Sequence, residues 1–522
     1  MAAARVLPAD RIVVCDGAMG TMIHSKGVSI GASFDEVNLS QPAIVQEIHR
    51  AYIEAGADII ETNTFGANRI KLENHGLAHK VRDINIAGAR LAKICAGDKG
   101  LVAGAVGPTS RLMHPLGPLT FDEACDVYRE QIMALCEGGV DLLIIETIQD
   151  LREAKAAMLA AKAITEIPII SQMSFTQEGR TMMGTAPDVA AVVLGHFGAR
   201  LVGTNCGTGP QDMLEAVRAM AGVTACGLSA QPNAGLPRFV EGRLMYLSTP
   251  EYMADFARQF AEAGAIVVGG CCGTTPDHIK AIVDAVSGLS PIKRSAGDKL
   301  LVASRTRLLE ISPTTLIGNR LAADTAAIAD IQGGHFKLVL DCAQAQFEEG
   351  ASLIGIDCDL IPSGSAGHVV ELVQTGSAAA VYLAGSSVGV LEEALRAVEG
   401  RAVVMLKDSV TALIDSLLPL AKRYGSAVAF NANEGSPEER LRVAHEVLQA
   451  AELCGLGKQS LIVNPGGLDE DGLRALKLIK LDLGVRCFID PGDVPDSDLK
   501  QAVENGVDAI VGDPKAMKSV VR

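Results

Sequence analysis

Eight short apolar runs recur across the first half of the 522-residue chain, each ending in a small or polar residue and most followed by a stretch of helical periodicity. They are Ile12–Cys15, Ile59–Glu61, Leu101–Val106, Leu142–Glu146, Ile169–Ser174, Leu201–Asn205, Cys226–Gln231 and Ile266–Gly270. Helical segments such as Ile44–Glu54, Phe121–Glu137, Asp150–Ala163, Asp212–Ala221 and Pro250–Ala263 lie between them. Strands that alternate with helices form a parallel sheet. Eight such units within about 250 residues are the size of a closed (β/α)8 barrel. The first domain is therefore expected over 8–288.

The stretch from Ser287 to Asp298, rich in Gly, Ser, Pro and Lys, breaks this pattern as a linker does, and a linker is expected over 289–299. A second series follows: Leu300–Ser304, Leu353–Ile356, Ala380–Ala384, Ala402–Leu406, Ala427–Phe430, Leu461–Val463, Arg486–Ile489 and Ala509–Val511. Its helical runs include Phe336–Glu349, Val410–Tyr424 and Glu438–Leu453. The expected fold class is α/β, two (β/α)8 TIM-type barrels in tandem, the second over 300–522. A doubly wound open sheet gives the same alternation and stays open for this half, because periodicity does not show whether a parallel sheet closes.

Charge narrows the partners. Forty-six Lys and Arg stand against 62 Asp and Glu, a formal charge of -16, which leaves no large basic surface for nucleic acid or an anionic membrane. The longest uncharged stretch, Leu372 to Leu391, carries Gln374, Thr375, Ser377, Ser386 and several glycines, too polar to span a bilayer. No basic segment precedes an apolar run at the N-terminus, and 12 cysteines are spread over a long chain, so a cytoplasmic location with thiols, metal ligands or nucleophiles is expected. The ten histidines, His49 and His278 among them, show no spacing for a second metal.

Working residues of such a barrel sit just past the C-terminal ends of its strands. There the first half reads Cys15-Asp16-Gly17-Ala18, Glu61-Thr62-Asn63-Thr64, Glu146-Thr147, Thr204-Asn205-Cys206-Gly207, Gln231-Pro232-Asn233 and Gly270-Cys271-Cys272-Gly273. Strands six and eight have one strand between them, so Cys206, Cys271 and Cys272 can reach one ion. Three thiolates with an open fourth position suit catalytic zinc, and a thiol entering that position is deprotonated near neutral pH. Alkyl transfer to sulfur fits such a site better than electron transfer. Small buried hydrophobic thiols, or a vicinal disulfide, are the other readings of these cysteines. Asp16 and Glu146 on the same rim can hold an ammonium group, with backbone N–H groups at Gly17 and Ala18 for a carboxylate; each acid taken alone also reads as a helix cap or rim ion pair.

These segments, DGAMGTMI, EIHRAYIEAGADIIETNTFGAN, AVGPTSRL, DLLIIETIQDLREAKAA, GTNCGTGP, QPNAGLP and GGCCGTTPDHI, closely resemble the homocysteine-binding zinc barrel of the cobalamin-dependent methionine synthase family. The resemblance covers nearly all of residues 10–285. Betaine:homocysteine and S-methylmethionine:homocysteine methyltransferases share the zinc cysteines. The resemblance implies Zn2+ on Cys206, Cys271 and Cys272, with homocysteine sulfur as fourth ligand and Asn233 as a ligand when substrate is absent. It implies Asp16 and Glu146 at the substrate ammonium and the Gly17 and Ala18 amides at its carboxylate. Thr62 and Asn63 are further candidate substrate contacts.

The second half resembles the same family's methyltetrahydrofolate-binding barrel in outline, through SRTRLLEIS, LDCAQAQFEEGASLIGIDCD and LLPLAKRYGSAVAFNAN. Its pterin-facing positions depart. Ala384-Gly385-Ser386-Ser387 stands for an Asp-Ser-Ser strand end, Ala402 falls near an expected Asn, and Val463-Asn464-Pro465-Gly466 replaces Phe-Asp-Pro-Asn. An unpaired pterin edge costs several kcal/mol, so folate binding in the family manner is not expected. No Asp-x-His-x-x-Gly segment of the cobalamin module occurs. The expected function is a zinc-dependent S-methyltransferase that makes methionine from homocysteine and a methylcobalamin-type corrinoid supplied in trans by a separate corrinoid-binding protein. A free donor (betaine, a sulfonium or methyltetrahydrofolate), or a non-catalytic protein that binds a corrinoid partner, are the alternatives.

Overall fold

The computed structural model of the chain describes residues 7–8, 10–240, 243–295, 297–490 and 496–521. Ala9 and residues 241–242 of the expected first domain, Ala296 of the expected linker, and residues 491–495 and Arg522 of the expected second domain lie outside the described residues, as does the start of the segment read for a leader, 1–6. The chain divides into two compact units near Ala296.

In the first unit the eight expected strands form to within two residues of their expected bounds: β1 Val13–Val14, β2 Ile59–Glu61, β3 Leu101–Val106, β4 Leu142–Ile148, β5 Ile169–Met173, β6 Leu201–Asn205, β7 Gly227–Gln231 and β8 Ala265–Val268. All pair in parallel, β2 through β8 in sequence order and β8 with β1. A parallel bridge between Cys15 and Ile59, with Asp16 N donating to Ile59 O at 2.9 Å, closes the ring. Alternate residues of each strand fill the interior, as the two-residue side-chain period demands: Leu101, Ala103 and Ala105 from β3, and Leu142 and Ile144 from β4. The outer helices carry their own boundaries. Phe121–Gly138 opens on a capping box in which Thr120 and Glu123 exchange hydrogen bonds, and stops at Gly139, whose φ of 89° suits a residue without Cβ.

The second unit is also a closed barrel: β9 Thr315–Gly318, β10 Leu353–Asp357, β11 Ala380–Gly385, β12 Val403–Leu406, β13 Ala427–Asn431, β14 Leu461–Asn464, β15 Arg486–Ile489 and β16 Ala509–Gly512. Because β9 pairs with both β10 and β16, the open-sheet alternative falls. One expectation needs correction. Leu300–Ser304 is not the first barrel strand; Leu301–Ala303 pairs antiparallel with Leu308–Glu310, and the barrel begins at Thr315. A short apolar run looks the same in a hairpin and in a parallel barrel, so only its partners distinguish them.

This hairpin plugs the N-terminal end of the barrel. Leu300, Val302 and Ile311 join a core with Ala380, Val403 and Ala427, which lie at the starts of their strands. Arg401, 1% exposed, fastens the plug with its guanidinium: Nη1 to Leu301 O, Nε to Gly425 O at 3.0 Å and Nη2 to Ser460 Oγ at 2.9 Å. The expected helix Val410–Tyr424 is interrupted by a π-helical turn over Leu413–Leu417, next to Pro419, whose ring nitrogen cannot donate. The uncharged stretch from Leu372 is divided among a helix end, β11 and a helix start, and among the described residues no helix is long and apolar enough to cross a membrane.

Candidate functional site

The Sγ atoms of Cys206, Cys271 and Cys272 lie within 4.8 Å of one another. Cys206 follows β6 with φ 55°, a left-handed conformation that a non-glycine residue adopts only where its surroundings impose it, and its N–H is held by Gln231 O at 3.1 Å. Beyond β8, Cys271 N donates to Pro232 O at 2.8 Å and Thr274 Oγ1 donates to Cys271 O at 2.7 Å. Gly273 in the same turn has φ 79°, and a Cβ there would lie 2.1 Å from the Tyr246 ring, so glycine is required. Asn233 reaches the group as expected, but its Oδ1 accepts from Cys272 N at 3.1 Å and its side chain hydrogen-bonds to Cys206.

None of the described cysteines is in a disulfide. With protons alone, the three thiols cannot all ionise. Hydrogen bonds from the Cys271 and Cys272 thiols draw Cys206 down to about 3, and the resulting thiolate pushes Cys272 up to about 12 and Cys271 well above its usual value. The first proton leaves easily and the next two are held by accumulating negative charge. A divalent cation removes that repulsion, and three sulfurs within reach of one ion with no fourth protein ligand required match the donor set of catalytic zinc. The residues therefore fit the metal.

Beside the sulfurs lies a cluster of acids, two of them buried and one, Glu61, part-buried. Asp16 is 2% and Glu146 7% exposed, and Cys15 Sγ, an Asp16 oxygen and a Glu61 oxygen fall within 4.8 Å of one another. Burial raises all three carboxyls above their ordinary range; the Glu61 charge adds to the rise of Asp16 and Glu146. Like charges crowded in a desolvated site oppose the ionisation of one another, and a cation held among the three acids would offset that opposition.

Glu146 sits in a β-bulge. Ile145 pairs with Ser171 and Ile148 with Met173, so Glu146 and Thr147 together face the single residue Gln172, and Thr147 has φ 59°. Asn205, the last residue of β6, accepts from Thr147 N at 2.7 Å and donates to Glu146 Oε2 at 2.9 Å; its Nδ2 also lies 3.9 Å from Cys271 Sγ. Glu61 Oε1 accepts from Gln231 Nε2 at 2.7 Å and from Cys15 Sγ at 3.3 Å.

The other expected contacts fare differently. The Ala18 N–H donates to Thr274 Oγ1 at 3.1 Å, and Tyr52 OH donates to Ala18 O at 2.8 Å, so this turn is clamped from two sides. A Cβ on Gly17 would stand 2.5 Å from Thr274 Oγ1. Thr62 Oγ1 accepts from Ala105 N at 3.0 Å, and Asn63 Nδ2 donates to Phe34 O at 2.7 Å, both scaffold contacts. Glu61, Asn205 and Gln231 join the site although the sequence assigns them no role; their place at strand ends is the signal that points to the rim.

The sequence profile of the homocysteine S-methyltransferase family matches residues 13–286, just over half of the chain. Among solved structures, the homocysteine methyltransferase MmuM from Escherichia coli is similar in its metallated form at 24% identity, covering 52% of this chain and 95% of that one with a TM-score of 0.45. Its oxidised form matches at 25% identity over the same shares, TM-score 0.45. Its apo form matches at 23% over 53% of this chain and 96% of that one, TM-score 0.42.

Proposed function

The chain belongs to the homocysteine S-methyltransferase family, and from that premise we propose that it is a zinc-dependent enzyme that moves a methyl group from an external methyl-corrinoid to homocysteine, giving methionine. The observation that carries this reading is the juxtaposition of three sulfurs able to share one ion with the buried Asp16 and Glu146 and the part-buried Glu61, three carboxyls able to share one ammonium. The work is assigned to the first barrel, taken as 8–288.

Cys206, Cys271 and Cys272 would hold zinc, with Asn233 beside them when substrate is absent; the ion would supply the Lewis acidity that keeps a substrate thiol ionised at neutral pH. The chain's own residues do the placing. Asp16 and Glu146 bind the ammonium, with Glu61 behind them, and the carboxylate is assigned to the Gly17 N–H alone, because the Ala18 N–H already donates to Thr274 Oγ1. The sulfur thus fixed uses a lone pair to form the S–CH3 bond, while the methyl group's bond to the donor breaks and its electron pair leaves with the donor.

A large donor is supported by the loops that leave the C-terminal ends of the strands, which expose Ile30, Leu112, Leu116, Met182 and Leu247, Met182 by 75%. Exposed large apolar side chains around a reactive mouth suit a protein partner better than a small free donor. The second barrel, taken as 300–522, is assigned no folate in the family manner.

The test incubates zinc-loaded protein with homocysteine and free methylcobalamin, without folate, and follows the corrinoid spectrum and methionine together. Methionine formed in step with loss of the methyl-corrinoid spectrum supports the proposal. Turnover with betaine or a sulfonium and none with any methyl-corrinoid overturns the donor assignment.

A further inference from the structure

We infer that Asn205 is a positioning residue that sets the preference for a thiol bearing an α-ammonium group, by locking the Glu146 carboxylate in a strained bulge; this rests on the substrate reading proposed above. Glu146 stands where β4 carries one residue too many, so its direction is not fixed by the sheet ladder. The adjacent Thr147, at φ 59°, occupies a left-handed conformation that β-branched residues rarely adopt.

Asn205 meets both needs with one side chain. Its Oδ1 takes the Thr147 N–H at 2.7 Å, while Nδ2 donates to Thr147 Oγ1 at 2.8 Å and to Glu146 Oε2 at 2.9 Å. It is 1% exposed, so water cannot replace these bonds. The other polar contacts to Glu146 are weaker guides: the Thr147 hydroxyl at 3.4 Å, itself held by Asn205, and the Glu61 carboxyl, which repels it once both ionise. Asn205 also precedes Cys206 in the chain and lies 3.9 Å from Cys271 Sγ. One amide therefore fixes the distance between the acid that reads the ammonium and the sulfurs that receive the thiol.

The arrangement predicts an effect on discrimination, which a merely structural role would not produce. Calorimetry on zinc-loaded protein compares homocysteine with its des-amino analogue γ-mercaptobutyrate, with kcat and KM measured in parallel. In Asn205→Ala the preference for homocysteine falls about tenfold, the worth of one hydrogen bond to a charged group. Affinity for the des-amino thiol and zinc content stay as in the parent. Asn205→Leu keeps the side-chain volume while removing both the acceptor for Thr147 N and the donor to Glu146, adds no charge, and shows the same loss. A wild-type preference retained in both variants, or an equal loss for both thiols, overturns the inference alone. A parent chain that does not distinguish the two thiols overturns it together with the reading of the acid pocket.

Discussion

Gln231 Nε2 donates to Glu61 Oε1 at 2.7 Å, joining the end of β7 to the end of β2 across the mouth of the first barrel. Gln231 is itself held by Gln172 Nε2 at 2.6 Å, and Gln172 reaches Ser229 Oγ at 3.0 Å, so amides from β5 and β7 brace the acid cluster from below. Such a network lets buried carboxyls stay close together before a cation arrives.

The bracing predicts a trade between stability and binding at Glu61. Glu61→Gln preserves an acceptor for Gln231 and removes a charge that raises both Asp16 and Glu146. The variant is expected to unfold at a higher temperature than the parent at neutral pH while its KM for homocysteine rises about tenfold. A thermal scan and a KM measurement on the same preparation check both directions.

Removing the metal should cost activity without costing the fold. The barrel interior around Val13, Ile59, Ile144 and Val267 is apolar and closed by backbone bonds, so it does not depend on an ion. Chelation, or Cys271→Ser, is expected to reduce bound zinc from one equivalent towards none and abolish methyl transfer, with the far-ultraviolet circular dichroism unchanged. Metal analysis beside the spectrum checks this.

His49 sets an acid limit on stability. Its ring is fully buried in the helix Pro42–Glu54, neither nitrogen has a hydrogen-bond partner among the described residues, and burial lowers its pKa from 6.5 to about 4. Between those values the unfolded chain binds a proton that the folded chain refuses. Stability contributed by the neutral ring is therefore intact above pH 6.5 and falls as pH drops towards 4, by up to about 3 kcal/mol. In denaturant titrations at pH 7 and pH 5, His49→Leu is expected to flatten this part of the acid slope.

The strand-end positions of Asp16, Cys206 and Cys271 were legible because a parallel barrel delivers its C-terminal residues to one rim whatever the details of packing. Their connections were not. The bulge at Glu146 arises from a register shift against β5, and the Asn205 and Gln231 bonds join strands 59 and 170 residues apart in sequence, beyond any local pattern. Ala18 illustrates the converse. Its amide looked free for a ligand, yet Thr274, 256 residues away, takes it. In the second half, the apolar pattern around Leu301 does form a strand, and only its antiparallel partner Leu308–Glu310 shows that it is a plug and not the first strand of the barrel.

The rim of the second barrel supports one last expectation, that it does not bind methyltetrahydrofolate tightly. Its polar groups are already paired with one another: Lys407 Nζ donates to Asp357 Oδ1 at 2.6 Å and to Asp359 Oδ2 at 3.4 Å. Asp359 also accepts from Ser386 N at 2.7 Å, and Asn464 Nδ2 donates to Asn431 Oδ1 at 3.1 Å. Ala402 lies at the start of β12, the opposite end of that strand from Lys407, where no rim ligand reaches it. A pterin seated on this rim would have to displace the partly exposed Lys407 ion pairs, at small cost, and leave part of its own polar edge unpaired, at a cost of several kcal/mol. Calorimetry with methyltetrahydrofolate should show no stoichiometric heat at micromolar protein, and Lys407→Met, which frees Asp357 and Asp359, should bind it no less tightly than the parent. Tight binding by the parent chain, abolished in Lys407→Met, would instead make that lysine part of a folate site.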